Sequence, residues 1–255
     1  MDKIKFLGTS GGRFVLINNL RKSGGVWFTL DDTNFLVDPG PGSLQNCLNS
    51  RPKLKPRDLD GIILTHRHLD HSNDINLMME AMSNGGWDKK GIVFAPIDAL
   101  EDDPVILKYF REKVNNIEIL KEKGCYKLNN IKFETPVKHN HSVETYGLNI
   151  FSKNHSISFI TDTKYFDGLE SFYKGDILIV NVVMRECKDH ILHLCVNDLE
   201  KILSNSKPKV CIMTHFGMTM VKAKPWEIAE DISKKTDVKV IAASDGMNLD
   251  LDKYI

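Results

Sequence analysis

Three of the nine histidines fall within six positions, in Thr65-His66-Arg67-His68-Leu69-Asp70-His71. Imidazole nitrogens and carboxylate oxygens are ligands that zinc and similar divalent ions accept. An isolated His-x-His would say little. Four potential ligands packed as His-x-His-x-Asp-His, with Leu69 the one apolar interruption, are hard to explain structurally. Buried without a metal, they would leave several polar groups seeking partners. The segment follows an apolar run at 62–64 and precedes a helical spacing of apolar residues, so it reads as a strand-to-helix loop. Such a loop lets a rigid scaffold present several side chains to one point.

The elements that must hold this loop are mostly strands. Short runs rich in β-branched and aromatic residues recur at 4–7, 26–30, 34–37, 62–64, 92–94, 131–133, 148–151, 157–160, 177–180, 210–213 and 238–241. Fewer helices fall between them. Ile75, Met78, Met79 and Met82 keep the spacing of an amphipathic helix, with the methionines expected in the core. A second helix is expected to start near Asn197 or Asp198, and a third to follow Pro225, a residue suited to a first helical turn. The reading is one strand-rich α/β domain spanning 1–255, with no repeats and no long linker.

His66-x-His68-x-Asp70-His71 resembles the signature of the metallo-β-lactamase-fold hydrolases. That family places further ligands downstream, each near a strand end, and the chain has a residue for every one. They are His141 in His141-Ser142-Val143-Glu144, Asp162 in Ile160-Thr161-Asp162-Thr163, and His215 in Met213-Thr214-His215-Phe216-Gly217. The resemblance runs over 4–247 and implies a four-layer αββα sandwich. It assigns His66, His68 and His141 to one divalent ion, and Asp70, His71 and His215 to a second, with Asp162 bridging. A carboxylate and a hydroxide between two cations offset their repulsion, and bound metals bring the pKa of water toward about 7. Hydrolysis is the expected chemistry. Zinc is the expected metal, with manganese or iron also suited to His/Asp ligands.

Two further stretches resemble the ribonuclease Z and cyclic-phosphodiesterase branch. One is Phe6-Leu7-Gly8-Thr9-Ser10-Gly11-Gly12; the other is His193-Leu194-Cys195-Val196-Asn197-Asp198. In that branch a histidine about twenty residues before the last ligand lies beside the scissile phosphate. The resemblance therefore makes His193 catalytic, by stabilising the phosphoryl transition state or protonating the leaving oxygen. It counts Asp70 as catalytic as well as a ligand. Asp38, in Asp38-Pro39-Gly40-Pro41-Gly42, resembles an aspartate that orients a metal-binding histidine, although a plain turn aspartate has the same pattern. His139 reads as either a supporting or an exposed residue, His155 and His190 as solvated, and Asp245-Gly246-Met247 as structural. The glycines Gly11, Gly12, Gly24 and Gly25 read as turns near the site's rim, not as a nucleotide-phosphate loop.

Charge narrows the substrate. Lys+Arg 34 balance Asp+Glu 34, so a surface held to nucleic acid by many phosphate contacts is disfavoured. Ribonuclease Z of the usual kind carries a long substrate arm between the counterparts of His141 and Asp162. Here 21 positions separate the two, room for a hairpin. The expected reaction is hydrolysis of a small or cyclic phosphodiester. A lactone or thioester hydrolase, an RNA-processing nuclease without the arm, a single-iron oxidative enzyme and a metal-stabilised nucleic-acid-binding or sensor protein are the alternatives. Large nucleic acid and membrane are not expected partners, and a homodimer is left open. With no signal-peptide pattern and five scattered cysteines (Cys47, Cys125, Cys187, Cys195, Cys211), a cytoplasmic protein with reduced, buried thiols is expected.

Overall fold

A computed structural model describes residues 2–254. The first sheet takes β1 (Lys3–Phe6), β2 (Val26–Leu30), β3 (Thr33–Val37), β4 (Gly61–Ile63), β5 (Ile92–Ala95) and β6 (Asn116–Ile119). The second takes β7 (Gly124–Leu128), β8 (Ile131–Thr135), β9 (Leu148–Phe151), β10 (Ser156–Ile160), β11 (Ile177–Asn181), β12 (Val210–Thr214) and β13 (Lys239–Ala242). Finally β14 (Asn248–Asp250) returns to pair antiparallel with β1. Each sheet has seven strands, in the orders β14-β1-β2-β3-β4-β5-β6 and β13-β12-β11-β10-β9-β8-β7.

Helices cover the outer faces. They are α1 (Arg13–Ile17), α2 (Ser43–Leu48), α3 (Leu69–Ser72), α4 (Ile75–Met82), α5 (Val196–Ser206), α6 (Met218–Lys222) and α7 (Pro225–Thr236). Three apolar layers result. Phe6, Phe28, Phe133, Ile150, Phe159 and Ile179 fill the space between the sheets. Ile75, Met78, Met79 and Met82 of α4 pack with Ile62 and Val93 on one outer face. Leu199 and Ile202 of α5 and Ile232 of α7 pack with Leu178 and Cys211 on the other. This is the αββα sandwich, and strands buried on both faces explain the near-continuous apolar runs of β4, β11 and β12. Among the described residues no helix is long and apolar enough to cross a membrane.

All eleven expected strand runs are strands, within a residue or two at their ends. Those unforeseen are β6, β7 and β14, each at the edge of a sheet. An edge strand has only one neighbour, and β6 and β7 carry exposed polar positions that dilute the apolar signal. The start of α5 at Val196 and of α7 at Pro225 agree with expectation, and the α4 methionines are buried in the core.

Two expectations need correction. Cys187 and Cys195 form a disulfide, their Cα atoms 5.1 Å apart, because the loop after β11 folds back onto the residue that caps α5. Cys47 and Cys211 are buried free thiols, whereas Cys125 is exposed. His155 is buried rather than solvated: its Nε2 sits 3.5 Å from Asp2 and 3.3 Å from Asp252, joining the β9–β10 turn to both chain ends. His190 is exposed, as expected.

The amino-terminal loop after β1 ties the first sheet to the segment that follows β12. Phe216 N–H donates to the Thr9 carbonyl and Gly11 N–H to the Phe216 carbonyl, at 2.8 and 3.0 Å. Asp245 accepts hydrogen bonds from Thr9 N–H, Thr9 Oγ1 and Lys22 N–H. A Cβ at Gly11 would lie 2.0 Å from the His215 carbonyl oxygen, so only glycine permits this approach. Gly11→Ala is therefore expected to lower stability by on the order of 2 kcal/mol or more. Urea unfolding measures it, and a wild-type midpoint would show that the clamp is not tight.

Candidate metal centre

The histidine-rich segment leaves β4 and enters α3, and its neighbours arrive from three other strand ends. His141 lies on the β8–β9 connection, Asp162 follows β10, and His215 follows β12. His193 comes from the loop between β11 and α5. The exposed residue of the motif is Leu69, so the apolar interruption faces solvent while its neighbours turn inward. His215 adopts a left-handed backbone, φ 59°, which the clamp by Thr9 and Gly11 holds in place.

All seven expected ligands, together with His193, converge. Ligand atoms of His66, His68 and His141 form one group within 4.8 Å of each other, and those of Asp70, His71 and His215 form another. His68 Nδ1 faces His141 Nε2 at 3.1 Å, and His71 Nε2 faces His215 Nε2 at 3.3 Å. Asp162 Oδ2 sits between the groups, 3.8 Å from His66 Nε2, 3.4 Å from His71 Nε2 and 3.5 Å from His215 Nε2. Its other oxygen, Oδ1, accepts a hydrogen bond from buried Asn181 Nδ2 at 2.8 Å.

Outward hydrogen bonds set which nitrogen of each ring is free. His71 Nδ1–H donates to Asp38 Oδ2 at 2.9 Å, which settles Asp38 as an orienting residue. Thr65 Oγ1 donates to the same carboxylate and accepts from His66 Nδ1–H at 3.0 Å. His141 Nδ1–H donates to the Leu192 carbonyl at 2.9 Å. Each ring thus spends one proton outward and leaves Nε2 aimed at the centre. Burial lowers the pKa values of His66, His68 and His141, so these rings are neutral and available as donors of electron pairs.

The two carboxylates stay ionised. Burial pushes Asp162 upward, but His215, His193 and His71 together hold it well below the ordinary range. Asp70 is lowered in the same way, with His71 and His215 outweighing burial. For His71 burial opposes the charged form, and Asp70, Asp38 and Asp162 overcome it. Converging lone pairs and two carboxylates are a donor set for cations. His66 Nε2 is fully buried and has no hydrogen-bond partner among the described residues. An orphaned buried nitrogen is costly, and a divalent ion at the centre would satisfy it. The residues present fit such a group.

A sequence profile of the β-lactamase superfamily domain matches residues 33–216. The chain belongs to this superfamily. Uncharacterized protein MJ1374 of Methanocaldococcus jannaschii is 29% identical over 98% of this chain and 95% of its own length. Ribonuclease Z of Pediococcus pentosaceus is 25% identical over 63% of this chain and 52% of that protein. Among solved structures, the metallo-β-lactamase-fold protein YhfI from Bacillus subtilis superposes with a TM-score of 0.81 at 19% identity, covering 97% of this chain and 98% of that one. The resemblance read from the sequence, to the metallo-β-lactamase fold, holds.

Several supporting residues escaped the sequence reading. Asn181 ends the apolar β11 run, and a polar residue at that place was the available signal. Tyr173 has no local signal; its hydroxyl donates to His139 Nε2 at 2.6 Å, and His139 Nδ1–H donates to the Asp162 carbonyl at 3.2 Å. His139 is thus a buried support behind Asp162, and burial brings its pKa down to about 4. Orientation of His71 by Asp38 gives a prediction. Asp38→Asn should weaken divalent-metal affinity by about 10–100-fold, measured by competition with a chelator. Unchanged affinity would remove Asp38 from the site.

Proposed function

We propose that the protein is a metal-dependent phosphodiesterase with a dinuclear site, acting on a small or cyclic phosphodiester. The observation that carries this reading is the place of His193. Its Nδ1 lies 3.6 Å from Asp162 Oδ2, among the candidate ligand atoms, while the ring also borders an open groove. A histidine in both places can reach a phosphoryl group seated against the centre.

Two divalent ions, one in each ligand group, would supply Lewis acidity and water of lowered pKa, chemistry suited to phosphodiesters. Zinc is the first choice, with manganese and iron also compatible with these ligands. The chain's own residues do the rest. Asn181 holds Asp162 so that its Oδ2 faces both groups. Asp70 Oδ2 lies 3.5 Å from His215 Nε2 and 3.8 Å from His71 Nε2, at the edge of the second group. Burial lowers the pKa of His193, so the ring waits neutral. An anionic phosphate arriving beside it favours the imidazolium, formed by uptake of a proton from solvent, which can then stabilise charge or pass that proton to the leaving oxygen.

Substrate size follows from the connection between His141 and Asp162, which contains only the β9–β10 hairpin. With no arm projecting from that connection and a balanced net charge, a substrate small enough for the groove is favoured over folded RNA. The similarity to a ribonuclease Z supports phosphodiester chemistry in this superfamily member.

The metal-loaded protein should cleave bis(p-nitrophenyl) phosphate. Asp162→Ala should lose the second metal and nearly all activity. His193→Ala should keep both metals and turn over more slowly by about 10²–10⁴-fold. Metal analysis and steady-state kinetics on the three proteins decide the matter. A protein that leaves every phosphodiester intact would end the proposal, and metal loss in the His193 variant would make that residue a ligand.

A further inference from the structure

Beyond His193 the groove widens to a volume of about 630 Å³. It runs between the loop that opens α1, the loop after β11 and the start of α6. Its charge is unlike that of the chain as a whole. Arg13, Arg185, Lys188 and Lys222 line it against a single carboxylate, Glu186. Among the described residues none of the four cationic side chains makes a salt bridge or a side-chain hydrogen bond. Phe14 lines the same groove and stands 62% exposed.

The scissile group of a phosphodiester carries one negative charge, and the proposed metals would neutralise it. They leave the four groove cations without a task. We infer that the substrate carries a second anionic group, phosphate or a group of like charge, on the arm that extends from His193 into this groove. Arg185 and Lys222, from the loop after β11 and from α6, approach the groove from two elements and receive that group. The forked guanidinium donors of Arg13 and Arg185 suit a phosphate's oxygens. Phe14 offers a stacking face to a planar body such as a nucleobase, a contact that needs no particular base. The substrate class is then a phosphodiester of a nucleotide-like compound bearing a second phosphate. This rests on the phosphodiesterase reading above and narrows it.

Two substrates with the same scissile bond test it. The p-nitrophenyl ester of thymidine 5′-phosphate and its 3′-phosphorylated counterpart differ only in the second phosphate. The metal-loaded protein should prefer the 3′-phosphorylated compound by about tenfold in kcat/KM at low salt, since charge-assisted contacts are involved. The preference should shrink as ionic strength rises, because the cations are exposed. In an Arg185→Ala/Lys222→Ala protein the ratio of the two kcat/KM values should fall to within about twofold of one. A wild-type ratio already near one, or a ratio that persists in the double variant, would overturn the inference. Calorimetric titration with thymidine 3′,5′-bisphosphate and with thymidine 5′-phosphate keeps the two readings separable. If neither ester is cleaved but the bisphosphate binds about tenfold tighter, and only in the protein with Arg185 and Lys222, the groove assignment stands and the phosphodiesterase reading falls. Equal affinity for the two nucleotides overturns the groove assignment whatever the turnover.

Discussion

The site is organised around one desolvated carboxylate. Asp162 is almost wholly buried, a position that on its own favours the neutral acid. Asn181 satisfies Oδ1, and Oδ2 is left facing nitrogens of His66, His71, His193 and His215 at 3.4–3.8 Å. These nitrogens cannot all serve as donors to it. His66 already spends its ring proton on Thr65, so it turns a lone pair toward the carboxylate, and His71, whose Nδ1 proton goes to Asp38, can face it favourably only with a second proton or a metal on Nε2. An anion surrounded by lone pairs is stable only with positive charge among them. The cation-binding character of the centre follows from that constraint more than from any one motif.

The fold supplies this arrangement by bringing separate strand ends to one place. The β4, β10 and β12 ends contribute His66, Asp162 and His215 directly, and the β8–β9 connection adds His141. Several of these residues are then steadied by a partner from another part of the chain. Asp38, after β3, holds Thr65 and His71; the Leu192 carbonyl holds His141; and the loop after β1 holds the backbone at His215. Because the ligands sit on rigid strand ends and their rings are locked from outside, little ordering remains for a bound ion to impose.

Most of this layout was legible in the sequence, for physical reasons that also explain the omissions. Buried strands such as β11 and β12 read clearly because both faces are apolar, whereas the edge strands β6, β7 and β14 have only one partner each and weaker patterns. The residues of the centre were legible because His66 to His71 are dense in sequence, and His141, Asp162 and His215 sit where the family resemblance places them. Asn181 and Tyr173 were not, since a single polar residue at a strand end or a tyrosine in a loop carries no spacing signal. The Cys187–Cys195 disulfide and the burial of His155 depend on how loops fold back, which local composition does not encode.

The neutral overall charge conceals an uneven distribution. Carboxylates and imidazoles concentrate at the centre while unpaired cations line the adjoining groove, so an anion would meet favourable charge along its whole path once cations occupy the centre. The central claim, that two cations share Asp162, is open to direct observation by anomalous diffraction from crystals grown with zinc or manganese. Two peaks about 3.5–4 Å apart are expected. One should be bounded by His66, His68 and His141, and the other by Asp70, His71 and His215, with Asp162 touching both. A single peak, or peaks away from these residues, would contradict it.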